Sequence, residues 1–185
     1  PITVRVTGAP PQSLGSDLTK LLHRLRTEAN ISISQLSANA QENVTIQAVS
    51  RAEIRRALPH AACFVVPNIS SIDEYRSARR TPKTNWANLQ KREQLAIFLP
   101  NDASPQEVRD CLHEELAQAI GPLNDLYRLP DSVFNDDNVH TVLTGLNMMM
   151  LKAYYSPELR SGMTRGQVVQ VLPRVLNRIN PAGNG

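Results

Sequence analysis

The residues best equipped for chemistry lie between Cys111 and His140. In the stretch CLHEELAQAIGPLND, residues 111–125, His113 followed by Glu114 opens as a zinc-binding peptidase helix does. Such a helix offers a second imidazole four residues later, because that spacing puts both rings on one face. Ala117 stands there instead. Val108, Cys111, Leu112, Glu115, Leu116 and Ala119 recur at helical spacing and define the buried stripe. Glu115 sits in the middle of it. A carboxylate on a core face is costly unless a cation or hydrogen-bond donor meets it. Glu114 and Gln118 are four apart and flank the stripe. His113 is turned roughly 140° from Gln118 at about 100° per residue, so the spacing predicts a solvated or rim histidine.

A second polar cluster follows in DSVFNDDNVH, residues 131–140. Asp131, Asp136 and Asp137 could ligate calcium, although their spacing differs from that of a helix–loop–helix calcium site. The simpler reading is an Asx-rich turn in which Asn135 or Asp137 caps the next helix. His140 stands near the same helix start and reads as a surface or capping residue. Ser132 lacks a histidine and acid placed for a triad. Cys111 and His113 point apart on a helix, so they do not form a nucleophile pair.

These residues need elements to position them. Alternation at Ile2, Val4 and Val6 predicts a strand, and the leucine spacing from Leu14 to Leu25 predicts an amphipathic helix ending at Ala29. Further strands are expected from Ile31, over Val44–Ala48 and over Cys63–Val66, with a short helix over Ala52–Leu58. Residues 68–93 show no clean period beyond a helical turn at Ile72–Arg79. Leu95–Leu99 is a continuous apolar run, as in a strand covered on both faces. Ser104-Pro105-Gln106-Glu107 is a helix start and Gly121 a stop. Residues 126–140 read as an irregular loop and 141–155 as a helix. A last helix begins at Thr164, bent or split at Pro173. The whole reads as one α+β domain over residues 1–185: a mixed twisted sheet in the strand-rich half, 1–100, and helices in the half 101–185.

Composition narrows the function. The chain has 185 residues, 41% apolar and 20% charged, with a net charge of +3. That describes a globular domain with its own core and no demand for a nucleic-acid partner. Arg76, Arg79, Arg80 and Lys83 beside Trp86 read as a solvated basic loop. No apolar window is long enough for a transmembrane segment, and there is no glycine-rich phosphate loop. Pro1-Ile2-Thr3 already alternates and shows no leader-like run. The two cysteines, Cys63 and Cys111, fit either a disulfide or two buried thiols.

Read one residue on from His113, Glu114-Glu115-x-x-Gln118-x-x-Gly121-x-x-Asn124 resembles the extended zinc signature of the metzincin peptidases. Glu115 then stands at the general base, Gly121 at the glycine that ends the helix, and Glu114, Gln118 and Asn124 where three histidine ligands are expected. The order of elements resembles that fold as well, with Met163, or less directly Met148–Met150, as counterpart of its methionine turn. One carboxylate and two amides would hold zinc weakly and suit calcium or magnesium better. Residues 95–180, with Glu114-Glu115-x-x-Gln118, Gly121-x-x-Asn124-Asp125 and Asp131-Ser132-x-Phe134-Asn135-Asp136, also resemble a bacterial family of secreted or envelope-associated proteins classed as a domain of unknown function.

That resemblance implies a periplasmic or secreted location, which in turn favours a Cys63–Cys111 disulfide. It leaves two functions open. One is a non-catalytic relative in which Glu115, Asn124, Asp125, Ser132 and Asn135 form a closed polar network beside a cleft that binds a peptide or envelope component. The other is a metal-dependent peptidase with Glu115 as general base.

Overall fold

The computed structural model describes residues 1–36, 41–89, 91–123, 131–135 and 140–181. Its sheet has five strands in the order β2-β1-β3-β5-β4. They span Ile2–Gly8 (β1), Ile33–Gln35 (β2), Val44–Val49 (β3), Phe64–Pro67 (β4) and Leu95–Pro100 (β5). Four run parallel, and β4, at one edge, is antiparallel to β5. The helices among the described residues are Gln12–Thr27 (α1), Arg51–Ala57 (α2), Ile72–Ala78 (α3), Pro105–Ile120 (α4), Gly145–Tyr154 (α5) and Arg165–Ile179 (α6).

Every residue of β5 is buried, as its unbroken apolar run requires of an inner strand covered on both faces. Leu95, Ile97 and Leu99 join the core built on α1 and α4. Ala96 and Phe98 join a smaller core under α2 and α3, where Phe98, Phe64 and Tyr75 cluster. The sheet is therefore the middle of three layers, and α4 lies on its larger-core face beside β4.

Local signals set the helix limits. Ser104 and Glu107 exchange a capping box at the start of α4, with Pro105 in first position. Gly121 ends the helix, but not through a left-handed turn: its φ is −135°. Glycine is required there by crowding, since an added Cβ would lie 2.9 Å from the carbonyl oxygen of Ala117 and 2.5 Å from Leu151 Cδ2.

Three sequence expectations change. Residues 72–78 form a full helix, capped by Ser71. The helix after the acidic loop is capped by Thr144, not by Asn135; Asp137 lies outside the described residues. Pro173 does not split α6, which runs continuously from Arg165 to Ile179. Pro173 lacks the N–H that would bond to Val169, and Val169 is the most exposed large apolar residue of that helix, so water can satisfy its carbonyl.

Cys63, just before β4, is bonded to Cys111 on α4 across a separation of 48 residues. Among the described residues no helix is long and apolar enough to cross a membrane. For a loop of this length the bridge is expected to contribute about 4 kcal/mol. Urea unfolding of the oxidised protein against the Cys63→Ser/Cys111→Ser pair measures it. A loss below about 1 kcal/mol would show that packing alone holds α4 to β4.

Candidate functional site

The disulfide sets the register of two elements. From Cys111 to Glu115 the helix rises about 6 Å, and from Cys63 to Val65 the strand advances about 7 Å. Val65 therefore comes level with Glu115. Together with Phe64, Gln118, Trp86 and Leu123 they line a cavity of about 320 Å³. Glu115 is 6% exposed, and Glu114 and Gln118 beside it are half-buried. All three take part in polar or electrostatic interactions.

The strand side of this cleft is a sheet edge. Asn68 N–H donates to Gln94 C=O at 2.8 Å, continuing the register that pairs Val66 with Ala96 and Phe64 with Phe98. Bonded positions alternate in an antiparallel pair, so Val65 directs its N–H and C=O away from β5. Among the described residues, no bond beyond the ladder takes them up.

The far end of α4 is fixed by two residues from distant segments. Arg92 Nη1 donates to the carbonyls of Gln118 (3.0 Å), Ala119 (2.9 Å) and Gly121 (2.6 Å). Its guanidinium carbon lies 5.5 Å from the Trp86 ring centroid. A cation on the last carbonyls also opposes the negative end of the helix dipole. The Tyr155 hydroxyl donates to the Ile120 carbonyl. Burial, followed by the neighbouring Tyr154, raises its pKa to about 12, so it remains a phenol donor at neutral pH.

The family model described as "Protein of unknown function (DUF2927)" matches residues 1–174. The chain belongs to this family. Neither a curated protein nor a solved structure matches it.

In this DUF2927 domain the predicted site residues divide into several groups. Glu115 and Gln118 share the cleft. Ser132 and Asn135 are both buried. Asp131 is exposed, 3.9 Å from His140 Nε2. Asn124, Asp125 and Asp136 lie outside the described residues. Met163 lies in the turn before α6, where its sulfur accepts from the Arg160 N–H at 3.3 Å. The basic loop is largely paired: Lys83 with Glu74 at 2.6 Å, Arg76 with Asp73 at 3.6 Å, and Arg79 with the carbonyl of Ala57 at 2.8 Å.

Ser132 belongs to a polar network, as the sequence suggested, but its partners are Asn147 and the Phe134 N–H, which the sequence did not point to. Its hydroxyl accepts from Asn147 Nδ2 at 2.7 Å and from Phe134 N–H at 3.0 Å. Asn147 Oδ1 accepts from the N–H groups of Val133 (3.3 Å) and Thr144 (2.9 Å) and from the Thr144 hydroxyl (2.9 Å). Asn147 is fully buried and ties the acidic loop to the start of α5. Its signal was present: an amide inside the apolar run Leu146–Leu151 of the helix expected over 141–155. Arg92 left no such signal, because the carbonyls it caps are remote in sequence.

His113 is the clear correction. It is 5% exposed and accepts from Leu143 N–H at Nδ1, 2.9 Å away. The neutral ring therefore carries its proton on Nε2. Arg24 donates to the Leu143 carbonyl at 2.7 Å, so the two side chains hold both backbone groups of Leu143. The rim expectation assumed that α4 is covered only by the sheet. Val133, Phe134, Leu143 and Leu151 join the same core and cover a second side of the helix.

Burial chiefly, then Arg24, lowers the His113 pKa to about 4. An unfolded chain protonates this ring near pH 6.5. Between pH 6.5 and 4 the unfolded state binds the extra proton, so stability falls as pH drops through that window. The expected loss is on the order of 3 kcal/mol. His113→Asn keeps an acceptor near Nδ1 and should flatten the slope of unfolding free energy against pH above about 4.5. An unchanged slope would assign it to other groups.

Proposed function

We propose that this domain is a non-catalytic, metzincin-like module of the bacterial envelope, and that it binds an extended peptide in the cleft between β4 and α4. The observation that supports this most directly is the outward backbone of Val65 beside a cavity that also holds Glu115 and Gln118. A peptide laid along β4 would gain main-chain hydrogen bonds from the strand and side-chain pockets from Trp86 and Leu123. The disulfide accords with an oxidising compartment, periplasmic or extracellular. The order of strand, long helix, strands, glycine-stopped helix and final helix accords with the kinship to metzincins.

The second reading, a metal-dependent peptidase with Glu115 as general base, draws on the same burial of Glu115 beside a cavity. Its donor set does not fit zinc. Glu114 supplies one carboxylate and Gln118 a neutral amide, whereas catalytic zinc takes three firm ligands, typically imidazoles with a carboxylate. His113 is turned to Leu143. Among the described residues no three His, Cys, Asp or Glu side chains could hold a metal together.

Metal analysis and a casein-cleavage assay on the purified protein separate the two. The binding module should contain substoichiometric zinc and show no chelator-sensitive cleavage; reproducible cleavage abolished by a chelator would overturn it. Binding is followed through Trp86, the single tryptophan, using an end-blocked hexapeptide of alternating valine and threonine. Val65→Pro deletes the outward N–H and should weaken binding about fivefold, the value of one net hydrogen bond.

A further inference from the structure

Beyond Trp86 and Leu123 the cleft opens into a larger hollow of about 830 Å³. Both residues line both spaces, so the two are neighbours and a chain lying beside Val65 and Glu115 can reach the hollow past Trp86 and Leu123. Its surface differs in kind. Trp86, Tyr154 and Tyr155 supply aromatic faces, and Lys91 and Arg92 supply cations. No aspartate or glutamate is among the described residues that line it.

The two cations are not equivalent. Lys91 pairs with Glu93 at 3.0 Å on the surface. Arg92 is half-buried and spends Nη1 on the helix carbonyls. Among the described residues it has no carboxylate partner, and its Nε and Nη2 make no bond. A half-buried guanidinium with two donors open and a ring beneath it favours a carboxylate, which it can meet through two parallel N–H groups. Tyr154 and Tyr155 are 43% and 41% exposed and stand edge to face at 5.5 Å, leaving ring surface for apolar atoms next to that charge.

We infer that the hollow is a carboxylate subsite of the peptide cleft: the segment that passes Glu115 toward Tyr155 presents a carboxylate to Arg92 with its carbon chain against the aromatic rings. This rests on the peptide reading above. The carboxylate can come from an acidic side chain or from a free C-terminus, and the two share this chemistry.

The test compares three hexapeptides with one alternating valine–threonine core, followed by Trp86 fluorescence. One ends in glutamine amide, one in glutamate amide and one in glutamine with a free carboxylate. At least one carboxylate peptide should bind about tenfold tighter than the neutral one, as a charge-assisted hydrogen bond predicts. The preference should shrink at high salt, and the tighter of the two identifies the source. Arg92→Gln should abolish the preference, read as the ratio of carboxylate to neutral peptide affinity on the same variant, because Arg92 also caps α4 and its loss can weaken all three peptides alike. Lys91→Gln, on an exposed and already paired residue, should leave the preference intact and serves as a folded control. Equal affinity of all three peptides would overturn the subsite and spare the peptide cleft. Binding of none would overturn both. Saturable binding of glucuronate with no discrimination among the peptides would overturn the subsite in favour of a carboxylated sugar.

Discussion

One covalent link organises the α4–β4 side of this domain. The Cys63–Cys111 bridge joins the first turn of chain before the edge strand to the middle of α4. Without it, α4 would be held to the sheet edge by side-chain packing alone, and helices can slide past strands at little cost in apolar area. With it, Val65 and Glu115 are fixed level with each other. An extended edge and a carboxylate thus share one cavity. Capping by Arg92 and Tyr155 then fixes the other end of the same helix, so α4 is anchored at both limits of the cleft it lines.

The buried polar residues of α4 follow from this arrangement. A helix lying between the sheet and a covering loop has little solvated surface, so polar positions on it need partners. His113 finds one in the Leu143 amide, and desolvation keeps the ring neutral, which is also the state that accepts a hydrogen bond at Nδ1. Asn147 does the corresponding work for the loop, satisfying backbone N–H groups that would otherwise be buried without acceptors. These contacts hold Val133, Phe134 and Leu143 against α4, on a side of the helix other than the one that faces β4.

Much of the framework was legible in the chain. The alternation in β1, the unbroken apolar run of β5 and the Ser104–Glu107 box located elements within a residue or two, because each is a local pattern with one dominant cause. Burial of Glu115 was legible for the same reason, from its place in the helical stripe. What escaped depended on neighbours distant in sequence. His113 looked solvated because one helix face was counted and two are covered. Arg92 acts on carbonyls of residues 118, 119 and 121, and nothing near position 92 announces that. Asn147 stood out as an amide in an apolar run, but its partners Ser132 and Val133, 15 and 14 residues earlier, were not legible. Gly121 was recognised as a stop, whereas its cause, the approach of Leu151 and of its own helix carbonyl, is tertiary.

The proposed peptide cleft stands or falls on whether a ligand chain pairs with the outer edge of β4. Amide hydrogen exchange at Val65, with and without saturating hexapeptide, addresses this at a single atom. Pairing with a bound strand predicts that the Val65 amide slows at least about tenfold while Val66, already facing β5, changes little. Unchanged exchange at Val65, with protection gained on any other face of the domain, would contradict it.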